Sequence, residues 1–277
     1  MALEGLPLLD MSDKEAGIPT PVELMETILH SMIGHYNLFL GGVLHRDISS
    51  GNILRLREPI NRSLGPSIHY LCRMLDEDVD LSLCCGFLID GDRAIKWHKD
   101  SRTPSLERSG TLPFVSIRLL RAWSKERPTL HTAADDLESF LWVLVWSLVQ
   151  IFKERVTDEL SVIHHTWNAF SGRSFPELLL KEPLTMAEWP DRVFCGLIQE
   201  WLGISQESRT IVTRLQEILL EQGSDMDTQE DIWDELDEHC RSIYKPFIQA
   251  GYKHLEEIKK FPDWNAVVDF NGDQLHR

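Results

Sequence analysis

The chain has 277 residues, of which 43% are hydrophobic, and this suits one large or two modest globular domains and excludes a wholly disordered protein. Its formal net charge of −16 should repel polyanions, so we expect neither nucleic acid nor a membrane surface among its partners. The five cysteines form no C-x-x-C pair, which favours reduced thiols in an intracellular protein, cytoplasmic or nuclear, over disulfides or a zinc site.

The first forty residues predict a loose lead followed by one helix. Residues 1–20 contain scattered Gly and Pro and no basic stretch before an apolar core, so we expect neither regular structure nor a signal peptide there. From Pro21 onwards apolar residues recur every four positions, which predicts a helix that ends before Gly41. The recurring residues are Leu24, Ile28, Met32 and Tyr36.

The most informative stretch follows this helix and reads H-R-D-I-S-S-G-N-I-L from His45 to Leu54. Its spacing resembles the catalytic loop of protein kinases, in which the Asp receives the proton of the substrate hydroxyl and the Asn holds magnesium. Phosphoryl transfer needs an oriented nucleophile and cations on the phosphate oxygens, so both residues must share one short, rigid loop. The alternative is an ordinary turn whose Asp and Asn bond only to the backbone. Residues 45–52 are called the HRD loop below.

Two segments follow the HRD loop. Residues 55–82 show little pattern, so we expect an insertion in a connecting segment. Residues 86–92 read G-F-L-I-D-G-D, a short apolar strand that ends in Asp90. Protein kinases place a magnesium-binding Asp at such a strand end, although an apolar run before Asp-Gly is also typical of a hairpin turn.

Two further motifs lead into a long apolar helix. Residues 108–120 read R-S-G-T-L-P-F-V-S-I-R-L-L and are similar to the end of a kinase activation segment, where Thr111 could bond the catalytic Asp and shape the substrate site. Residues 135–139 read D-D-L-E-S, and by its spacing to Ser139 Asp136 resembles the Asp with which protein kinases reach the backbone of the HRD loop; the alternative is a plain N-cap. The apolar run at 140–152 has 13 residues, which suits a buried helix and is too short to cross a bilayer.

The remainder of the chain predicts helices joined by loops. Residues 205–220 have helical spacing. Between Asp225 and Glu238, eight of fourteen residues are acidic and alternate with apolar residues at helical spacing, which favours the solvated face of an amphipathic helix over a surface for a basic partner. No second pair of ligands accompanies His239 and Cys240, so a metal site is not expected there.

Taken in order, H-R-D-I-S-S-G-N-I-L, F-L-I-D-G-D, S-G-T-L-P-F-V-S-I and D-D-L-E-S-F-L-W-V-L-V-W resemble the fungal-type protein kinase family, over roughly residues 20–200. The resemblance implies ATP and Mg²⁺ as cofactors and a protein substrate or partner. It implies that Asp47 is the catalytic base within the loop formed with His45 and Arg46. It further implies that Asn52 and Asp90 bind magnesium, that Thr111 shapes the substrate site, and that Asp136 supports the loop.

The same resemblance implies a fold, and it shows where this sequence departs from protein kinases. We expect a mainly α, protein-kinase-like large lobe with a few short strands at 21–220, after the lead at 1–20 and before an acidic helical tail at 221–277. No G-x-G-x-x-G or V-A-I-K-like sequence precedes His45, so we expect the N-terminal β-rich lobe to be missing. Arg118 stands where protein kinases close the activation segment with Glu, and this inverted charge should weaken the segment's fold.

These expectations favour a Ser/Thr protein-kinase-like protein whose phosphoryl transfer is weak or absent in this chain. Three explanations stay open: a truncated product of an active family, a pseudokinase that acts as a protein-binding module, or a small-molecule phosphotransferase. An apolar face left by a missing small lobe would also favour association with another chain.

Overall fold

A computed structural model of the chain describes residues 5–9, 17–61, 81–97, 103–153, 192–221 and 226–267. Within these ranges the protein is mainly helical, as the sequence predicts. The helices are α1 (Pro21–Leu40), α2 (Ile117–Ser124), α3 (Ala133–Lys153), α4 (Arg192–Glu221), α5 (Met226–Ser242) and α6 (Tyr244–Ile258). The strands are β1 (Gly5–Pro7), β2 (Val43–Leu44), β3 (Ile53–Asn61), β4 (Leu83–Leu88) and β5 (Ile95–Lys96). None of the described helices is long and apolar enough to cross a membrane.

Helix α1 begins where its capping residues place it. The Thr20 side chain accepts a hydrogen bond from the backbone N–H of Glu23 at 3.2 Å, and the Glu23 carboxylate accepts one from the backbone N–H of Thr20 at 2.7 Å. This reciprocal capping box and Pro21 in the first turn fix the start of the helix. At the other end Gly42 adopts a φ of +77°, a conformation that favours glycine, and the chain turns into β2.

The main core lies between α1, α3, α4 and α6. Large side chains with at most 1% exposure fill it, and they come from every one of these helices: Met32, Tyr36, Phe140, Trp142, Phe194, Trp201 and Phe247. The predicted apolar helix is therefore α3, and the predicted helix at 205–220 is the second half of α4. A smaller cluster formed by Val115, Leu119, Leu120 and Trp123 packs separately under α2.

Two small antiparallel sheets hold the ends of the HRD loop. One has the strand order β1-β3-β4, and the other pairs β2 with β5. Residues 55–61 therefore belong to a strand, where the sequence predicted an unpatterned connector, and 62–80 lie outside the described residues. The lead at 1–20 likewise contributes β1, whose Leu6 pairs with Arg55. These pairings were missed because isolated strands of this length carry little periodicity.

The acidic C-terminal helices pack into the same core as the rest of the chain. In α5, Leu236 and Cys240 are fully buried, and in α6 so are Tyr244 and Phe247. The indole N–H of Trp264 also donates to the carbonyl oxygen of Pro19 at 2.6 Å, next to the start of α1. Helices α5 and α6, which lie in the region predicted as an acidic helical tail, thus contribute to the main core.

Candidate active site

The HRD loop is held at both ends by strand pairing. Before the loop, Leu44 of β2 pairs with Ile95 of β5, and after it Ile53 of β3 pairs with Leu88 of β4. The ladder brings the segment after β4 beside the end of the loop, where the backbone N–H of Ile89 donates to the carbonyl oxygen of Asn52 at 3.0 Å. Asp90, distant in sequence from Asn52, is therefore attached to the loop through its neighbour.

Asp47 and Thr111 form the centre of the candidate site. The Thr111 hydroxyl donates to Oδ1 of Asp47 at 2.8 Å, although the two residues are separated by 64 positions. Thr111 is exposed and Asp47 is half-buried, so a ligand can approach the carboxylate. The turn before Thr111 requires glycine, since Gly110 has a φ of +115° and an added Cβ would lie 3.0 Å from Val115 Cγ2.

The loop is closed internally by Asn52 and His45. The Asn52 side-chain amide donates to the carbonyl oxygen of Asp47 at 2.8 Å, and Nε2 of His45 lies 3.0 Å from the carbonyl oxygen of Ile89. Because a carbonyl only accepts, Nε2 of His45 carries the proton in this contact. Both side chains are buried and fix the path of the backbone around Asp47.

Asp90 differs from the other expected site residues. It is exposed, and its backbone has a φ of +61°, a left-handed conformation that is uncommon outside glycine and often found at functional sites. Asp90 follows Ile89, whose N–H and carbonyl oxygen are both bonded to the HRD loop. Its position is thus set by the backbone, while its carboxylate faces solvent.

The donor atoms of this region suit a hard cation. The amide nitrogen of Asn52 is used within the loop, which leaves its Oδ1 as an acceptor, and Asp90 supplies carboxylate oxygens. Magnesium prefers oxygen ligands and commonly binds one or two protein groups together with phosphates and water. Among the described residues there is no cluster of three or more His, Cys, Asp or Glu that would hold a metal without such additional ligands.

Asp136, at the start of α3, is the buried support of the HRD loop. Its Oδ2 accepts the backbone N–H of Arg46 at 2.9 Å and lies 2.8 Å from Nε2 of His35, and its Oδ1 lies 2.8 Å from Nε2 of His131. Burial alone would raise the pKa of Asp136, but the nearby His131 and then His35 outweigh it and hold the pKa far below the ordinary value. The group is therefore a carboxylate, able to accept all three bonds.

Asp135, the preceding residue, binds the end of residues 108–120, the segment that resembles a kinase activation segment. Its Oδ1 accepts the Ser116 hydroxyl at 2.6 Å and Nε of Arg118 at 3.1 Å, and its Oδ2 pairs with a terminal nitrogen of Arg118. The other terminal nitrogen of Arg118 donates to Gln216 at 2.9 Å and to Thr129 at 3.0 Å. The expectation that Arg118 weakens this segment is wrong, because Asp135 supplies the buried countercharge.

The sequence did not identify three residues that complete this arrangement. His131 lies five positions before Asp136, within reach of the same helix start. His35 occupies a core-facing position of α1, in the series Ile28, Met32, His35 and Phe39, and a His at such a position signals a buried polar contact. Tyr244, which contacts His35, carries no local signal because it lies 209 residues away.

Comparison with known protein families identifies a match over the region that contains the HRD loop. Residues 14–148 match the family model described as fungal protein kinase. This segment, which runs from the approach to α1 into α3, belongs to the fungal protein kinase family. No curated protein matches the chain. Helices α4 to α6 lie beyond the matched segment.

Proposed function

We propose that the chain forms the large lobe of a Ser/Thr protein kinase that transfers phosphoryl groups from ATP to protein hydroxyls. One observation carries the proposal: the Asp47 carboxylate accepts the Thr111 hydroxyl while Asp136 accepts the backbone N–H of the residue before Asp47. Two distant segments thus hold the same loop: Thr111 contacts the half-buried Asp47 carboxylate, and Asp136 holds the backbone beside it. This arrangement suits a base that must meet an incoming hydroxyl in a fixed direction.

In this proposal Asp47 accepts the proton of the substrate Ser or Thr as its oxygen attacks phosphorus. Thr111 holds Oδ1 of Asp47, which orients Oδ2 towards the substrate. His45 shapes the loop through its side-chain bond to the Ile89 carbonyl oxygen, and Arg46 does so through its backbone N–H, which donates to the Asp136 carboxylate. Asp136 acts as a positioning residue, since its carboxylate contacts the loop backbone.

Asn52 and Asp90 would hold Mg²⁺ through Oδ1 and the carboxylate. Held there, Mg²⁺ would supply the positive charge that offsets the negative charge developing on the transferred phosphoryl group. The exposed carboxylate of Asp90 fits this task, because Mg²⁺ retains water and takes its remaining ligands from phosphate.

The second candidate function is a binding module for protein partners, with weak or no catalysis. It is favoured by Gly91, which follows the expected metal ligand where the kinase D-F-G motif has a packing ring. An added Cβ at Gly91 would contact only Ala94, at 3.9 Å, among the described residues. Position 91 is therefore open among the described residues, and Ile89, which is 38% accessible, lies two residues before it as an apolar contact for a partner.

Calorimetric titration of the full chain with ATP in the presence of Mg²⁺ tests the metal site. We expect micromolar to millimolar binding that Asp90→Ala removes and Asp92→Ala retains. Asp92 is also exposed, but Asp90 is the residue that directly follows Ile89, whose backbone bonds to the HRD loop. Equal binding by both variants would place the nucleotide elsewhere.

A transfer assay on Ser/Thr peptides tests catalysis. If wild type transfers phosphate, Asp47→Asn should lower kcat by about 10²–10⁴-fold, the range for loss of a positioned base. A wild-type chain that neither binds ATP nor transfers phosphate would contradict the kinase proposal and favour the binding module.

A further inference from the structure

A continuous chain of buried hydrogen bonds links helix α6 to the HRD loop. The Tyr244 hydroxyl lies 2.7 Å from Nδ1 of His35, and Nε2 of His35 lies 2.8 Å from Oδ2 of Asp136. The same Oδ2 accepts the backbone N–H of Arg46 at 2.9 Å. Tyr244, His35 and Asp136 are all fully buried. Three helices, α6, α1 and α3, thus meet at one backbone amide of the loop.

The carboxylate fixes the direction of the two bonds to Asp136, and the tautomer of His35 sets the direction of the bond to Tyr244. An ionised carboxylate can only accept, so His35 must carry a proton on Nε2. In the neutral imidazole Nδ1 is then the acceptor, and the Tyr244 hydroxyl donates to it. Burial raises the pKa of Tyr244 well above its ordinary value, and the charge of Asp136 raises it further, so the phenol keeps its proton.

The Tyr244 and His35 rings also pack on each other. Their planes are inclined by 28° with centroids 5.8 Å apart, and His35 and Phe140 of α3 pack in an edge-to-face arrangement. The hydroxyl contact fixes the remaining freedom of the imidazole, which is rotation about its bond to Cβ. Because Oδ2 of Asp136 is shared between His35 and Arg46, a shift of the imidazole is transmitted to the Arg46 amide.

Arg46 is the point at which such a shift matters. Its backbone has a φ of +68°, which is strained for a residue with a Cβ and persists only where the surroundings impose it. Asp136 is the buried group that bonds the N–H of this strained residue, and Asp47 follows it directly. Loss of the support should let Arg46 relax and move Asp47.

We propose that Tyr244 is a positioning residue for the HRD loop, acting through His35 and Asp136 on the backbone of Arg46. The inference rests on the proposed function for its catalytic meaning, but the mechanical link stands on the contacts alone. Tyr244 lies outside residues 14–148, so the support of the loop extends beyond the segment that the family model matches. Helix α6 thus supports the HRD loop without supplying a residue of the loop itself.

Amide hydrogen exchange measured by NMR on the full chain tests the link without requiring activity. Tyr244→Phe removes only the hydroxyl, and we expect exchange of the Arg46 amide to accelerate about tenfold. The control is Tyr252→Phe, the same change on the same helix but outside this hydrogen-bonded chain, which should alter Arg46 exchange less than about twofold. The amide of Leu144, in the middle of α3, serves as the reference for global opening.

Three outcomes would overturn the proposal: unchanged Arg46 exchange in Tyr244→Phe, an equal change in Tyr252→Phe, or an equal acceleration at Leu144. Failure of Tyr244→Phe to fold would also count against it, since a hydroxyl that only positions the loop is not required for folding. None of these outcomes depends on catalysis, so an inactive wild type would contradict the kinase proposal and leave the link intact.

A variant at His35 distinguishes an effect transmitted through this side chain from a general loss of stability. Gln at position 35 can donate to Asp136 through its amide without support from Tyr244. In the His35→Gln background, adding Tyr244→Phe should change Arg46 exchange by less than about twofold, whereas additive effects would contradict the proposed route. If wild type transfers phosphate, Tyr244→Phe should lower kcat and leave the KM for ATP unchanged. The double variant His35→Gln/Tyr244→Phe should then have the same kcat as His35→Gln alone.

Discussion

At the scale of residues, two adjacent aspartates bind different segments of the site. Asp135 binds Arg118 and Ser116 at the end of the activation-type segment, and Asp136 binds the HRD loop. Both start the same helix, so neither segment can shift without disturbing the other. The start of α3 thereby joins the HRD loop to residues 108–120.

The Arg118–Asp135 pair gives a prediction about stability. Arg118→Met should lower the free energy of unfolding by about 3–5 kcal/mol, because Asp135 would remain buried without its countercharge. Arg121→Met is the matched control on the same helix: this side chain is exposed, and the change should be within about 0.5 kcal/mol. Urea denaturation followed by circular dichroism measures both, and similar losses in the two variants would contradict the assignment.

The pKa of Asp136 gives a prediction about pH. Its folded pKa lies below the unfolded value of about 3.9, so its stabilising contribution is present above that value and is lost as the pH falls. Asp136→Asn should therefore cost about 2 kcal/mol or more at pH 7, and the difference from wild type should shrink below about pH 4. Denaturant unfolding at pH 7 and pH 3 measures this gap.

The pH dependence contributed by neighbouring carboxyl groups must be separated from that of Asp136. Burial raises the pKa of Glu138, so its contribution changes with pH in the opposite sense to that of Asp136. Both proteins in the comparison retain Glu138 and Asp135, and their contributions cancel in the difference. A gap that widens in acid would contradict the role of the Asp136 carboxylate.

The sequence could predict the motif residues and not their partners. H-R-D-x-x-x-x-N and D-D-L-E-S are local patterns, and their order in the chain selects Asp47, Asn52, Thr111 and Asp136, which the structure brings to one region. His35 and Tyr244 are single residues whose contacts span 101 and 209 positions. No local pattern encodes a partner at that distance, so only the folded chain reveals it.

At the scale of elements, β4 approaches α1 too closely for any side chain at Gly86. An added Cβ there would lie 2.6 Å from the carbonyl oxygen of Thr27, a backbone atom that cannot swing away. Gly86→Ala should therefore cost about 1–3 kcal/mol, while Gly34→Ala on α1, with nothing within 4 Å of the added Cβ, should be neutral or stabilising by up to about 1 kcal/mol.

Thermal or urea unfolding of the two glycine variants measures this contrast. A tolerated Gly86→Ala would mean that β4 and α1 can separate without cost, and that the strand does not fix the approach to Asp90. Helix α1 itself was predictable from its apolar repeat, whereas β3 was not, because its pairing with β1 and β4 depends on distant segments.

At the scale of the whole molecule, the core joins α1 to the C-terminal helices. Cys240 of α5 reports on this junction, since it is fully buried and burial, with the charge of Asp135, raises the pKa of its thiol to about 12. We expect thiol labelling of Cys240 along a urea series to coincide with the main transition followed by circular dichroism.

Half-buried Cys84 and Cys195 serve as comparisons in the same experiment and should label at lower urea concentration. Labelling of Cys240 well before the main transition would mean that residues 221–277 unfold as an independent unit. Coincident transitions would mean that the acidic helices and the HRD loop share one cooperative structure.

The hydrogen bond between Tyr244 and His35 also has a consequence for biosynthesis. The two residues are 209 positions apart, so at about 5–20 residues per second the ribosome completes Tyr244 roughly 10–40 s after His35. For most of that interval the nascent chain carries every residue of the HRD loop but not the hydroxyl that holds its buried support. We therefore expect the loop to reach its final position only after α6 has left the ribosome, and a shorter nascent chain to carry the site without its buried support.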